Sequence, residues 1–346
     1  NAVLNDQQLG VAPGTLDQVA DVLVKHAGEG IVITGGLPTE NENGLNLHLA
    51  VNWLNSALGN EGRTILAQGA VAGLEGSLDD LRGLIADMEA GKVKTLIIHN
   101  LNPVYTLPTP LKFTEALNKV DMVVSTSSWM DETAKLADVV APTGHSMENW
   151  NEFEFVSGFK VIQQPTIRPL FDTRSFEDSL MAWSKKGGSP IATEETFADY
   201  LKNKNVSALG SEENWFKFLQ TGYSGKIADS GSARGLSGGA ADAIKPVAIK
   251  EGIELVLFST SHMADGSLAN VSWLLELPDP VSKVAWDNYL AVSPARAKEW
   301  KVKDHDEVTV KVGDQSVTLP IFIQPGMHKD ILGISVGYGR SAGGEL

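Results

Sequence analysis

The 346-residue sequence contains no cysteine, which excludes disulfides, thiolate zinc sites and cysteine-ligated iron–sulfur clusters from this chain. No apolar run approaches the roughly 18 residues that a bilayer span needs, so no segment is expected to cross a membrane directly. Positive charge is scarce as well, with 28 Lys and Arg against 43 Asp and Glu and a net charge of −15. The cations are scattered, so a phosphate backbone has little to bind and nucleic acid is not expected as a partner. Neither a Gly-x-Gly-x-x-Gly fingerprint nor a Walker lysine motif is present, which removes the commonest phosphate loops. The amino end, Asn1-Ala-Val-Leu-Asn-Asp6, has no initiator Met and no basic-apolar leader. It is expected to be the edge of a processed protein or an expressed fragment, with Asn1-Ala2 as a vector remnant.

What is present is ordinary globular composition, 42% hydrophobic and 21% charged, in a chain long enough for two or three domains. Thr15 is expected to cap an amphipathic helix running to His26, with Gly28 and Gly30 ending it and Ile31–Thr34 forming a short strand before Gly35-Gly36 turns the chain. Helices fit Leu45–Leu58 and, after the cap Ser77, Leu78–Glu89. Thr95–His99, Val120–Ser125 and Ala137–Ala141 read as further apolar strands. Short continuous apolar strands separated by helices predict an α/β domain whose largely parallel sheet is covered by helices. Ligands of such sheets sit beyond the carboxyl ends of the strands, which singles out Gly35-Gly36, His99–Asn102, Ser125–Ser128 and Pro142–His145. Gly35-Gly36 could admit a phosphate to a helix amino terminus, or could simply turn the chain.

Past Phe155 the chain is extended and proline-punctuated. Helices are expected after Thr173 or Ser175, near Thr193–Lys202 and over Glu212–Gln220. Residues 221–250 are too rich in Gly, Ser and Ala to bury a core and read as a linker. The expected organisation is an α/β domain over 1–220, this linker, and a β domain over 251–346 whose first strand is Ile253–Phe258. His145, Glu148, Glu152 and Glu154 match no metal-ligand spacing and read as a solvated loop. The eight tryptophans read as core and interface anchors.

The final hundred residues hold Ser293-Pro-Ala-Arg-Ala-Lys-Glu-Trp300, the acidic turn Asp304-His305-Asp306, and two alternating runs, Val308–Val312 and Ser316–Ile323, joined by Gly313-Asp314. This order resembles the C-terminal double-psi β-barrel of the molybdopterin oxidoreductases, the dimethyl-sulfoxide-reductase superfamily. There the turn reads Asp-Gly-Asp, so His305 stands where Gly is usual and would have to tolerate a positive φ. Asp131-Glu-Thr-Ala-Lys-Leu-Ala-Asp-Val-Val-Ala-Pro142 resembles a signature of the same superfamily. The resemblance implies that Asn100 and Asn102, Ser125 and Thr126, and His262 and Asp265 of the Ser259–Gly266 loop, together with Gly35 and Gly36, lie where a molybdopterin guanine dinucleotide is held. His99 and Leu101 stand where glycines are common in that site, which argues against an intact one.

Asn102-Pro-Val-Tyr-Thr-Leu-Pro108, Gln163–Asp172, Glu276–Val281 with Trp286-Asp-Asn-Tyr289, and Gly337-Tyr-Gly-Arg340 narrow the likeness, from about residue 16 to 343. Together they resemble the large extracytoplasmic subunit of alternative complex III, the bacterial quinol:acceptor oxidoreductase. In that family the molybdopterin-like part has lost its metal cofactor and serves as scaffold, and iron–sulfur clusters lie in segments absent here. The resemblance therefore implies no cofactor in this chain, other subunits of a membrane-bound electron-transfer complex as partners, and an extracytoplasmic, periplasmic location. The alternative is a truncated molybdenum enzyme that binds the dinucleotide and catalyses oxidoreduction.

Overall fold

Local chemistry sets the first elements. In the computed structural model, which describes residues 5–7, 9–36, 39, 41, 43–66, 76–156, 158–226, 235, 239, 244 and 252–342, the chain divides into two compact units. The first comprises Asn1–Gly73, Glu154–Lys160 and Ser224–Glu251, and the second Leu74–Phe153, Val161–Tyr223 and Gly252–Leu346.

The first unit contains α1 (Thr15–Lys25) and α2 (Gly44–Ala57). Thr15 is not the cap of α1 but its first residue. The orphan N–H groups of the first turn are met instead by Asp6, whose carboxylate accepts from Gly14 N (2.6 Å) and Leu16 N (3.0 Å), an anion at the positive end of a helix. The expected strand Ile31–Thr34 forms no ladder among the described residues. Its Val32 exchanges two hydrogen bonds with the side-chain amide of buried Asn55, at 2.9 and 2.7 Å. One amide thus supplies what a neighbouring strand would.

In the second unit, α3 (Leu78–Glu89) begins at the expected cap, where Ser77 and Asp80 form a capping box. β1 (Thr95–Ile98), α4 (Pro103–Thr106), α5 (Phe113–Leu117), β2 (Met122–Ser125) and β3 (Val139–Val140) follow. The three strands pair in parallel in the order β1-β2-β3, with Ile98 opposite Ser125 and Val124 opposite Val139. Met88, Ile98, Phe113, Leu117 and Val123 close a core between this sheet and α3 and α5.

β4 (Asn151–Val156), β5 (Phe159–Gln163), α6 (Phe176–Lys186), α7 (Phe197–Leu209), α8 (Glu212–Thr221) and β6 (Tyr223–Gly225) come next. Ser175, Thr196 and Ser211 cap the three helices through their hydroxyls. α7 therefore starts later than expected and runs on to a left-handed Gly210. A satellite core forms from Ile162, Leu201, Trp215 and Phe218. Most of the expected linker lies outside the described residues.

The last elements are β7 (Glu254–Phe258), α9 (Ser272–Glu276), β8 (Leu290–Val292), α10 (Pro294–Trp300), β9 (Glu307–Val312), β10 (Gln315–Ile323) and β11 (Ile331–Ser335). They build a five-stranded mixed sheet in the order β7-β11-β8-β10-β9. β7 with β11 and β8 with β10 are parallel pairs, while β8 with β11 and β9 with β10 are antiparallel. Leu290, Val292, Ala297, Ile321 and Ile334 fill its core. His305 does adopt φ +72°. Its turn is held by Asp306 accepting from Lys303 N (2.8 Å) and Asp304 accepting from Ile323 N (2.6 Å).

Candidate functional site

At the carboxyl end of the parallel sheet in the second unit lies a cleft of about 280 Å³, lined by residues from four stretches: Asn100–Asn102; Ser127–Trp129 and Asp131; Ser267 and Asn270; and Arg340. The first two are the loops after β1 and β2, as the topology requires. Asn100 takes φ +52°, a left-handed conformation that asparagine tolerates better than most residues. Asn102 precedes α4, and its side chain turns away from the helix end. Its Oδ1 accepts from Thr133 N (3.1 Å) and Thr133 Oγ1 (2.7 Å), and its Nδ2 donates to Glu132 Oε2 (2.7 Å).

Glu132 is the hub. Arg340 donates to it through Nε at 3.1 Å to both carboxylate oxygens and through a terminal nitrogen at 2.9 Å. Ser341 N (2.7 Å) and Ala342 N (3.0 Å) donate as well. Burial opposes charge on Glu132, but the bonds from Arg340, Asn102 and Ser341 outweigh it and hold the carboxyl far below the ordinary carboxylate range. Arg340 also donates to the Gly266 carbonyl and lies over the Tyr105 ring, 4.8 Å from its centre. Tyr105 donates to the Tyr338 carbonyl at 2.7 Å. Burial pushes its phenol up, with Arg340 working against that.

Other polar groups of the two loops are engaged as well, although the Asn100 side chain, which lines the cleft, makes no such bond among the described residues. Ser127 Oγ donates to Asp131 (2.8 Å), which also accepts from Ala134 N (2.7 Å), and Ser128 Oγ donates to the Thr143 carbonyl (2.8 Å). His99 stacks on Phe176 with ring centres 3.9 Å apart, and its Nδ1 meets Thr126 Oγ1 at 2.7 Å.

Of the residues singled out from sequence, Asn100 and Asn102 line the cleft, and Ser125, Thr126, His262 and Asp265 do not. Ser125 and Thr126 are fully buried. His262 is 2% exposed, with Nε2 3.2 Å from Tyr338 Oη and Nδ1 left without a protein partner. Asp265 is exposed on the loop that supplies Ser267, and the hydroxyl of Ser267, together with its N–H (3.0 Å), keeps the Asp265 carboxyl below the usual range. Gly35 (φ +155°) and Gly36 (φ +64°) turn the chain in the first unit.

Glu132, Arg340 and Tyr105 were not expected as site residues, although each stands in one of the motifs that carry the family resemblance. Arg340 is the one charge of its Gly-Tyr-Gly-Arg motif, but Glu132 shares its run with Asp131, Lys135 and Asp138 and nothing local sets it apart.

No group of three or more His, Asp or Glu able to hold a metal occurs among the described residues. In the cluster near residue 150, His145 and Glu148 form a capping box around a single 3₁₀ turn. Glu152 pairs with Lys204 (2.7 Å) and Asn205 (2.6 Å).

Comparison with known proteins agrees with this architecture. Residues 2–180 match the family model for molybdopterin oxidoreductase, just over half of the chain. The menaquinone reductase molybdopterin-binding-like subunit of Nitratidesulfovibrio vulgaris is 25% identical over 76% of this chain and 38% of its own length. The thiosulfate reductase molybdopterin-containing subunit of Salmonella typhimurium is 22% identical over 73% of this chain and 39% of its own. The arsenate respiratory reductase molybdopterin-containing subunit of Shewanella sp. is 29% identical over 40% of this chain and 20% of its own. The chain thus spans less than two-fifths of the length of these curated relatives. Acetylene hydratase from Pelobacter acetylenicus superposes with a TM-score of 0.50 over 74% of this chain and 39% of that one, at 16% identity, a likeness of fold alone. On sequence match and parallel-sheet architecture together, the chain belongs to the molybdopterin oxidoreductase family.

Proposed function

We propose that this chain is the molybdopterin-oxidoreductase-like part of a respiratory electron-transfer subunit of the alternative complex III type, and that it acts there as a scaffold without a redox centre of its own. The observation that carries this reading is the state of the polar side chains around the cleft. A pterin dinucleotide brings a pyrophosphate, which calls for uncommitted donors and positive charge. Here the lining cation, Arg340, is bound by Glu132, the Asn102 amide is spent on Glu132 and Thr133, and Thr126 is taken by His99. Asp131 and Glu132 add negative charge to the same loop. Asn100 and Asn270 remain in the lining as neutral donors, but its cation is neutralised and these carboxylates oppose a pyrophosphate, so this lining does not fit the dinucleotide.

The kinship with a menaquinone reductase subunit whose name is molybdopterin-binding-like supports a quinone-linked setting. On this reading the partners are other subunits of a membrane-bound complex, the location is periplasmic, and the mixed sheet from β7 to β11 is the core of a double-psi β-barrel that begins near residue 251. The two parallel and two antiparallel pairings of that sheet support the barrel. No helix among the described residues is long and apolar enough to cross a membrane.

A second reading is favoured by the arsenate and thiosulfate reductase relatives, whose names state that they contain molybdopterin. It makes the chain part of a molybdenum enzyme holding the dinucleotide. One experiment separates the two: the full-length subunit is purified from its native membranes, denatured, and the supernatant assayed for pterin nucleotide by fluorescence and mass spectrometry, with elemental analysis for molybdenum and tungsten. The scaffold reading expects neither; stoichiometric pterin or metal overturns it in favour of the second.

A further inference from the structure

Residues 268–287 carry an exposed apolar face that none of the interactions described above uses. The Leu277 N–H bonds to the Trp273 carbonyl at 3.1 Å, so these two side chains lie on one face of the α9 end. Trp273 is 82% exposed and Leu277 is exposed beside it. The Trp286 N–H reaches the Leu275 carbonyl at 2.8 Å, which brings the backbone of a second tryptophan, its side chain 51% exposed, alongside the same helix.

In the same segment Val281 stands exposed on a turn built on Asp279. The Asp279 carboxylate accepts from Val281 N (2.9 Å), Ser282 N (2.7 Å) and Ser282 Oγ (3.0 Å). The display is therefore rigid. It is also strained, because Lys283 takes φ +64° and Trp286 φ +70°. An aromatic residue held at positive φ is an outlier of the kind that concentrates at functional surfaces. Large exposed apolar patches with aromatic anchors mark interaction sites.

Charge decides what covers the face. Exposed Glu276 and Asp287 stand in this segment against a single exposed Lys283, on a chain of net charge −15. A second copy would set these carboxylates against one another, and an anionic lipid surface would be repelled. We propose that this face docks a different protein of the same assembly, through an apolar surface rimmed by Lys and Arg. The proposal rests on the reading of the chain as part of a multi-subunit complex.

The test is photocrosslinking of the full-length subunit in its native membranes with Trp273→benzoylphenylalanine, using Lys311→benzoylphenylalanine as control. The expected product joins residue 273 to another polypeptide whose contact peptide is net positive. Its yield should fall about tenfold when Trp286→Ala is added, and should fall on raising NaCl to about 0.5 M. Circular dichroism should show Trp286→Ala folded as the parent. A crosslink to a second copy, to lipid, to another part of the same polypeptide or to an acidic peptide overturns the proposal. So does no crosslink, or a yield no greater than at position 311. A bound pterin would sink the scaffold reading while leaving this outcome separately measurable.

Discussion

Arg340 grips Glu132 across 208 residues of sequence, and both side chains are nearly closed to solvent, 12% and 9% exposed. The pair ties the segment that leaves the five-stranded sheet to the loop that leaves the parallel one, so these two halves of the second unit are fixed by chemistry rather than by packing alone. Removing one partner from a buried pair leaves the other charge uncompensated. Arg340→Met is therefore expected to cost about 3–5 kcal/mol. Glu132→Gln keeps the shape but leaves Arg340 uncompensated and turns an amide NH2 towards its donors, so it should cost a comparable amount, about 3–5 kcal/mol. Equilibrium denaturation measures both, and a cost under about 1 kcal/mol for either would count against the pair as the anchor.

The same carboxylate sets a pH dependence. Its folded pKa lies far below the unfolded 4.5, because donors to the charged form outweigh the burial that opposes it. Such a group contributes stability in full above the unfolded value and loses it as pH falls through the folded one. Stability should decline progressively below about pH 4.5, and Glu132→Gln should flatten that part of the profile. A denaturation series from neutral pH downward on both proteins checks this.

His99 predicts a second titration of opposite chemistry. Burial lowers its pKa below 6.5, with Glu177 pulling the other way. A base whose folded pKa is depressed leaves stability intact above the unfolded value and reduces it as pH falls from there to the folded value, with no further loss beneath. NMR titration of the imidazole should place its midpoint under 6.5. Phe176→Ala, which uncovers the stacked face, should move that midpoint back towards 6.5.

Much of this was legible in the sequence, for identifiable reasons. Ser77 announces its helix because a hydroxyl before an apolar period, with Asp three residues on, can meet the orphan amides, and of the two caps open at Thr173 and Ser175 the structure uses Ser175, which also has Asp three residues on. Thr95–Ile98 and Met122–Ser125 are continuous apolar runs, and the β9–β10 hairpin alternates about Gly313-Asp314. The strand at Ile31 failed because its backbone is satisfied by Asn55, a side chain 23 residues away that no local pattern foretells. The candidate site was half legible. Topology places the loops at Asn100 and Ser127 beside one another, but the closure of Asn102 and Arg340 on Glu132 joins three distant segments. His262 sits in the expected loop yet turns inward to Tyr338, because loop position does not fix side-chain direction.

Two left-handed positions in the second unit carry opposite expectations. His305 sits at φ +72° with its side chain exposed, so its conformation costs energy that no burial returns. His305→Gly should raise stability by roughly 1 kcal/mol, visible as a higher denaturation midpoint with an unchanged slope. Gly337 sits at φ +99°, and a Cβ there would meet Met263 Cβ at 3.1 Å and the Ala264 carbonyl at 3.2 Å. Gly337→Ala adds that crowding to backbone strain, beside Tyr338 and Arg340, and should cost about 1–3 kcal/mol. If the histidine replacement destabilises, the Asp304–Asp306 turn depends on the imidazole itself. If the alanine replacement is neutral, Met263 yields, and the path of the Gly337–Ala342 segment is set by Arg340 and Glu132 rather than by the glycine.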